Sequence, residues 1–137
     1  SLVEISDDYC VTTASVADLA EILAGHFPGA PILPGALMQE MTTQTAGVLI
    51  AGRHNPMSDY RTDDPHHNEF ALGVLVRVRA ARYRGFARPG DQLRISVKLE
   101  ERVDQLFDFT GEVTCRESLI LRNKFQLANI PTRTLIG

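Results

Sequence analysis

Two side chains set fourteen residues apart, His26 and Glu40, have the types that proton transfer needs. Imidazole titrates near neutral pH and serves as a base, whereas a carboxyl group held away from water keeps its proton and serves as an acid. His26 opens the stretch His26-Phe27-Pro28-Gly29-Ala30-Pro31-Ile32-Leu33-Pro34-Gly35. Three prolines stiffen this loop and two glycines let it turn. Its final Pro-Gly leads into an apolar segment with Glu40 one and a half turns in, which is the layout of a helix N-terminus. A stiff loop bearing a base and a helix start bearing an acid together make a candidate site.

The elements that must position these two groups follow from periodicity. From Pro34 to about Ala51, Leu37, Met41 and Val48 share one line, Met38, Thr45 and Leu49 widen it, and Gln39, Thr42 and Thr43 lie off it. Apolar residues reach most of the way round, so this helix is expected to be wrapped by a curved sheet. Glu40 and Gln44 are neighbours one turn apart at the margin of the stripe and are expected to be partly buried. Upstream, residues 8–16 predict a strand, and Ala17 to Ala24 predict a short helix, ended by Gly25, that delivers the chain to His26. Downstream, a polar loop runs from 53 to 68 and is read as functional or mobile. After it come strands over 75–82, 93–100, 107–115 and 119–127, with turns at Arg88-Pro89-Gly90-Asp91, Glu101 to Gln105 and Arg116 to Ser118. The expectation is an α+β fold in one domain, 1–137, with about four meandering strands folded around one long helix.

Composition narrows the function classes. A chain of 137 residues with 44% hydrophobic side chains can bury its own core. Its net charge of -3 and pI of 5.8, without a basic run, give no electrostatic support for nucleic-acid or anionic-membrane binding. No apolar run approaches the roughly 20 residues of a spanning helix, and nothing reads as a signal peptide. Cys10 and Cys115 are far apart without CxxC spacing, which favours reduced thiols and a cytoplasmic protein, with a single disulfide as the alternative.

The order of elements and the loop resemble a known family. The run from His26 to Gly35 matches, without a gap, the H-F-P-G-x-P-x-x-P-G hallmark of hot-dog-fold (3R)-hydroxyacyl-[acyl-carrier-protein] dehydratases of the FabZ-like type. Glu40 follows at the family's acidic position, then Gln44 and Ala46-Gly47. Ala81-Arg82-Tyr83-Arg84 and Arg88-Pro89-Gly90-Asp91-Gln92-Leu93 are similar to the family's A-R-F-R and P-G-D-Q-L segments. The resemblance implies a hot-dog fold and dehydration of hydroxyacyl thioesters. His26 would then take the proton beside the carbonyl and Glu40 would protonate the departing hydroxyl. The free N–H groups at Gly35 and Ala36 would bind the thioester oxygen, with Gln44 beside the substrate. It further implies a carrier-protein or coenzyme A thioester as partner, no cofactor, and a homodimer or trimer of dimers in which base and acid come from opposite subunits. Ala36 stands where isomerising relatives carry a reactive cysteine, and Glu40 where they carry aspartate, so no double-bond isomerase activity is expected.

Other readings stand beside this one. A hot-dog thioesterase would use the helix carboxylate to activate water without His26, and a non-catalytic hot-dog subunit would bind acyl chains or support a partner. Asp63-Asp64-Pro65-His66-His67 contains metal-ligand types, but contiguous residues do not easily converge on one ion, so a solvated loop is expected there and no metal. Arg77, Arg79, Arg82, Arg84 and Arg88 are either the outward charges of a strand or a rim for an acidic carrier.

Overall fold

The computed structural model describes residues 1–16, 33, 35–64 and 67–136. The expected helix over Ala17 to Ala24 lies outside the described residues. Within them the elements are β1 (Leu2–Ile5), β2 (Tyr9–Ser15), α1 (Gly35–Arg53), β3 (Phe70–Tyr83), β4 (Gln92–Val103), β5 (Leu106–Cys115), β6 (Ser118–Pro131) and α2 (Thr132–Ile136). One antiparallel six-stranded sheet in the order β1-β2-β4-β5-β6-β3 curves around α1, as the hot-dog expectation requires.

The strands do not form a simple meander. Only β4, β5 and β6 follow one another, while β3 crosses the sheet to pair with β6. The reason is that both edges of β4 are taken, one by β5 through a tight turn and the other by β2 over Tyr9↔Lys98 to Ser15↔Gln92. The free edge of β6, as long as β3 itself, can pair it over its length, whereas β1 at the other end of the sheet has only four residues. Strand β1 escapes periodicity because Leu2, Val3 and Glu4 are exposed, so it has no buried face to leave a pattern. The turns are tighter than the expected spans. β4 runs on to Val103, and Arg116 and Glu117 both take positive φ, 50° and 65°, which is the backbone of a two-residue type I′ turn.

The core falls into two apolar clusters along α1. Met38 joins Val16, Leu33, Leu93, Ile95, Val113 and Leu121 near the helix start. Ala46, Leu49 and Ile50 join Val97, Phe107, Phe109, Phe125 and Leu127 near its end. There Phe109 stacks on Phe125 with ring centroids 5.6 Å apart.

Between the clusters lies a polar belt that corrects the expected face of α1. Thr42, Thr43 and Thr45, placed by periodicity off or at the side of the apolar line, are buried, whereas Val48 is 41% exposed. Each threonine hydroxyl bonds back to its own helix, Thr42 and Thr43 to the Gln39 carbonyl and Thr45 to that of Met41, so burial leaves no hydroxyl unpaired. The Asn123 Nδ2 donates to Gln39 Oε1 at 2.5 Å and to Thr42 Oγ1 at 2.9 Å. On the other flank the Thr12 and Thr45 hydroxyls are 2.7 Å apart. Gly111 makes room for this belt, because a Cβ there would overlap Asn123 Oδ1 and lie 3.1 Å from Thr42.

β3 also departs from expectation. Alternation with Arg77 and Arg79 predicts an inward face for Val76 and Val78, yet these are 48% and 42% exposed and both arginines are exposed too. The first half of this edge strand is partly buried, with Leu72 against the core, whereas from Leu75 on the strand, broken by register shifts, is exposed on every residue.

The turn at Arg88 to Asp91 forms as expected, with Gly90 at φ 91°. The Asp91 carboxylate accepts the Arg88 amide at 2.8 Å. That bond, helped by Cys115 and Arg116, holds the Asp91 carboxyl below its ordinary value against the opposing effect of burial. Because the folded-state value is depressed, the stabilisation is present above the unfolded value and is lost as pH falls through the folded one. In urea melts the Asp91→Asn variant should therefore lose less stability than wild type between pH 5 and about pH 2. Gly111→Ala should cost about 1–3 kcal/mol, and combining it with Asn123→Ala should cost less than the sum of the two single changes.

Candidate active site

The helix rotation set by the buried threonines decides where the acid points. Ala36, Glu40, Gln44 and Val48 form one exposed row on α1, so the partial burial expected of Glu40 and Gln44 is absent in the single chain. The two remain neighbours as spacing predicted, with Gln44 Nε2 donating to Glu40 Oε1 at 3.2 Å. Beside them a cleft of about 210 Å³ opens between α1 and β2, lined by Met41, Gln44, Thr45 and Val48 from the helix and by Thr12 and Ala14 from the strand. His26 and Pro34 lie outside the described residues, so the expected base is not placed.

Gly35 begins α1, and a close neighbour crowds it. A Cβ on Gly35 would sit 2.8 Å from the Tyr83 ring, whose hydroxyl donates to the Gly35 carbonyl at 3.1 Å. Just before the helix, the Leu33 amide donates to the Ala87 carbonyl at 2.7 Å, and Leu33 is buried in the core. The segment 83–87 thus holds the helix start at two points. The exposed first turn at Ala36 presents N–H groups without helix partners, the arrangement suited to a developing oxyanion.

On the other side of the sheet, strand alternation turns Arg122 and Lys124 away from the helix that Asn123 faces. Together with Arg82 and Arg84 they line a hollow of about 350 Å³. Arg82 stands directly opposite Arg122, and among the described residues none of these four cations joins an ion pair. Glu112 of β5 stands directly opposite Arg122 in register, and Asp108 is engaged by Arg79 at 3.5 Å. Arg122 and Lys124 were missed in the sequence because they sit in an ordinary alternating strand; only the pairing of β3 with β6 brings them beside Arg82. In the polar loop, Asp63 pairs with Arg61 and His67 with Asp59, and the described residues hold no cluster of three metal-ligand side chains.

The family model for the ApeI dehydratase, ApeI-like, matches residues 3–118. The chain belongs to this dehydratase family. It is 31% identical over 112 residues to the 3-hydroxyacyl-[acyl-carrier-protein] dehydratase FabZ of Legionella pneumophila, a match covering 82% of this chain and 69% of that one. Against the enzyme of the same name from Cupriavidus metallidurans the identity is 32% over 102 residues, covering 70% of this chain and only 61% of the relative. The dehydratase heterocomplex ApeI:P from Xenorhabdus doucetiae has the same fold, with TM-score 0.75 and 22% identity over 99% of this chain and 84% of that one. The protein smu.793 from Streptococcus mutans, solved bound to acetyl CoA, aligns with TM-score 0.69 at 14% identity over 96% of this chain and 88% of its own. These likenesses establish a FabZ-like hot-dog dehydratase fold and family, in agreement with the loop motif.

Proposed function

We propose that the chain dehydrates (3R)-hydroxyacyl thioesters, carried by acyl carrier protein, to trans-2-enoyl thioesters in cytoplasmic acyl-chain synthesis. The observation that carries this reading is family membership over most of the chain, joined to an acid, Glu40, on the exposed face of the family's central helix. His26 takes the proton from the carbon beside the thioester, the electron pair closes the new double bond, and the C–O bond breaks as Glu40 protonates the hydroxyl, which leaves as water. The N–H groups at Gly35 and Ala36 receive the charge that builds on the thioester oxygen, and Gln44 holds Glu40 in place.

The exposure of Glu40 supports a site completed by a second copy. Elimination needs a site closed to bulk water, and the single chain leaves open the Ala36–Val48 row and the β3 edge with Leu75, Val76 and Val78. A homodimer joined there would cover Glu40 and bring in His26 of the partner subunit, giving two equivalent sites, with a trimer of dimers as the higher form. The heterocomplex named for the Xenorhabdus relative favours a second reading of the same edge, in which a different subunit covers it. The basic hollow at Arg82, Arg84, Arg122 and Lys124 suits the phosphate and acidic surface of the carrier.

Purified protein given a 3-hydroxyacyl thioester should form the enoyl product without free thiol. Release of thiol with no enoyl product would instead mark a thioesterase. His26→Ala and Glu40→Gln should each lower kcat by about 10²- to 10⁴-fold. Mixing these two inactive variants should restore part of the activity if base and acid come from different copies, and no recovery at any ratio would assign both to one chain. Arg122→Glu should raise KM several-fold for carrier-protein and coenzyme A thioesters while leaving an N-acetylcysteamine thioester, which has no phosphate, unchanged.

A further inference from the structure

We propose that Tyr83 is a positioning residue of the active site, fixing the start of α1 so that the N–H groups at Gly35 and Ala36 meet the thioester oxygen. The inference rests on the dehydratase reading and on that role for the helix start. Its basis is the contact between the last residue of β3 and the first residue of α1. The Tyr83 hydroxyl donates to the Gly35 carbonyl at 3.1 Å, and its ring lies where a side chain on Gly35 would be. The backbone of Gly35 does not require glycine by its φ, whereas Gly73 and Gly90 do have positive φ. A side chain at position 35 would therefore have to displace the ring.

The other end of the contact is rigid. Tyr83 is paired with Leu121, which is fully buried, and the next amide, of Arg84, donates to the Ile120 carbonyl at 2.8 Å. The Leu33 to Ala87 bond adds a second fastening four residues along the same segment. Sheet and helix start are thus tied at two places that flank Pro34.

The tie is a poor stabiliser and a good locator. Tyr83 is 47% exposed, and a neutral hydrogen bond near solvent adds little net stability because water would satisfy the same groups in the unfolded chain, so its loss should hardly unfold the protein. Orientation at a reacting centre is more sensitive, since a displacement of about 1 Å can cost on the order of 100-fold in rate. A residue whose removal spares stability and KM but lowers kcat is acting on transition-state alignment.

The test compares Tyr83→Phe, Tyr83→Ala, Gly35→Ala and the Gly35→Ala/Tyr83→Ala pair in the dehydration assay, alongside thermal melts. Tyr83→Phe should lower kcat by about 3- to 10-fold with KM within about 2-fold and the melting temperature unchanged. Gly35→Ala, which pushes on the ring, should lower kcat by about 10-fold or more in the parent, but by less than about 2-fold once Tyr83 is alanine. Full kcat in Tyr83→Phe, or additive effects of Gly35→Ala and Tyr83→Ala, would overturn the inference while leaving the dehydratase reading intact. A wild-type protein that forms no enoyl product would remove that reading itself, and the positioning role with it.

Discussion

The burial of three threonines under α1 is the constraint from which the site follows. Hydroxyls that bond back to helix carbonyls enter the interior satisfied, and once Thr42, Thr43 and Thr45 face the sheet, the opposite row of Ala36, Glu40, Gln44 and Val48 must face outward. The Asn123 amide locks the arrangement by reaching Gln39 and Thr42 from β6. Turning the helix to bury Val48 would carry Gln39 and Thr42 away from the buried Asn123 amide and leave it without these partners, at a cost of about 1–3 kcal/mol. The outward acid is a consequence of the inward polar belt.

Much of this was legible in the residues. Alternation located β4 and β5 because each buries one face fully, as Leu93, Ile95 and Val97 do on β4 and Phe107 to Cys115 do on β5. It misjudged α1 because hydrophobicity ranks threonine as polar while a helical threonine carries its own acceptor, one turn back. It misjudged β3 because the second half of this edge strand is exposed throughout, so the alternation of Val76 and Val78 with arginines marks no buried face there. Pairing of β3 with β6 depended on which strand edges were still free, a property of the whole sheet that no local window contains.

The candidate site was legible in a different way. Glu40 and Gln44 were found from one helical turn of spacing, and their contact is direct. Gly35 was identified as a helix start, yet the group that crowds it lies forty-eight residues away, in the ring of Tyr83. Such crowding cannot be read along the chain, since it arises only when the end of β3 is brought against the beginning of α1.

The bulges of β3 have a further consequence. A fourteen-residue strand with one free edge is a template for indiscriminate strand addition, which leads to aggregation. Here three register shifts in its pairing with β6 distort the strand, and Arg77, Arg79 and Arg82 spread positive charge along its second half. A flat or basic strand meets poor geometry and repulsion there, whereas a strand with matching curvature and offsetting charge meets neither. The irregularity and charge of the edge therefore act against strand addition of that indiscriminate kind.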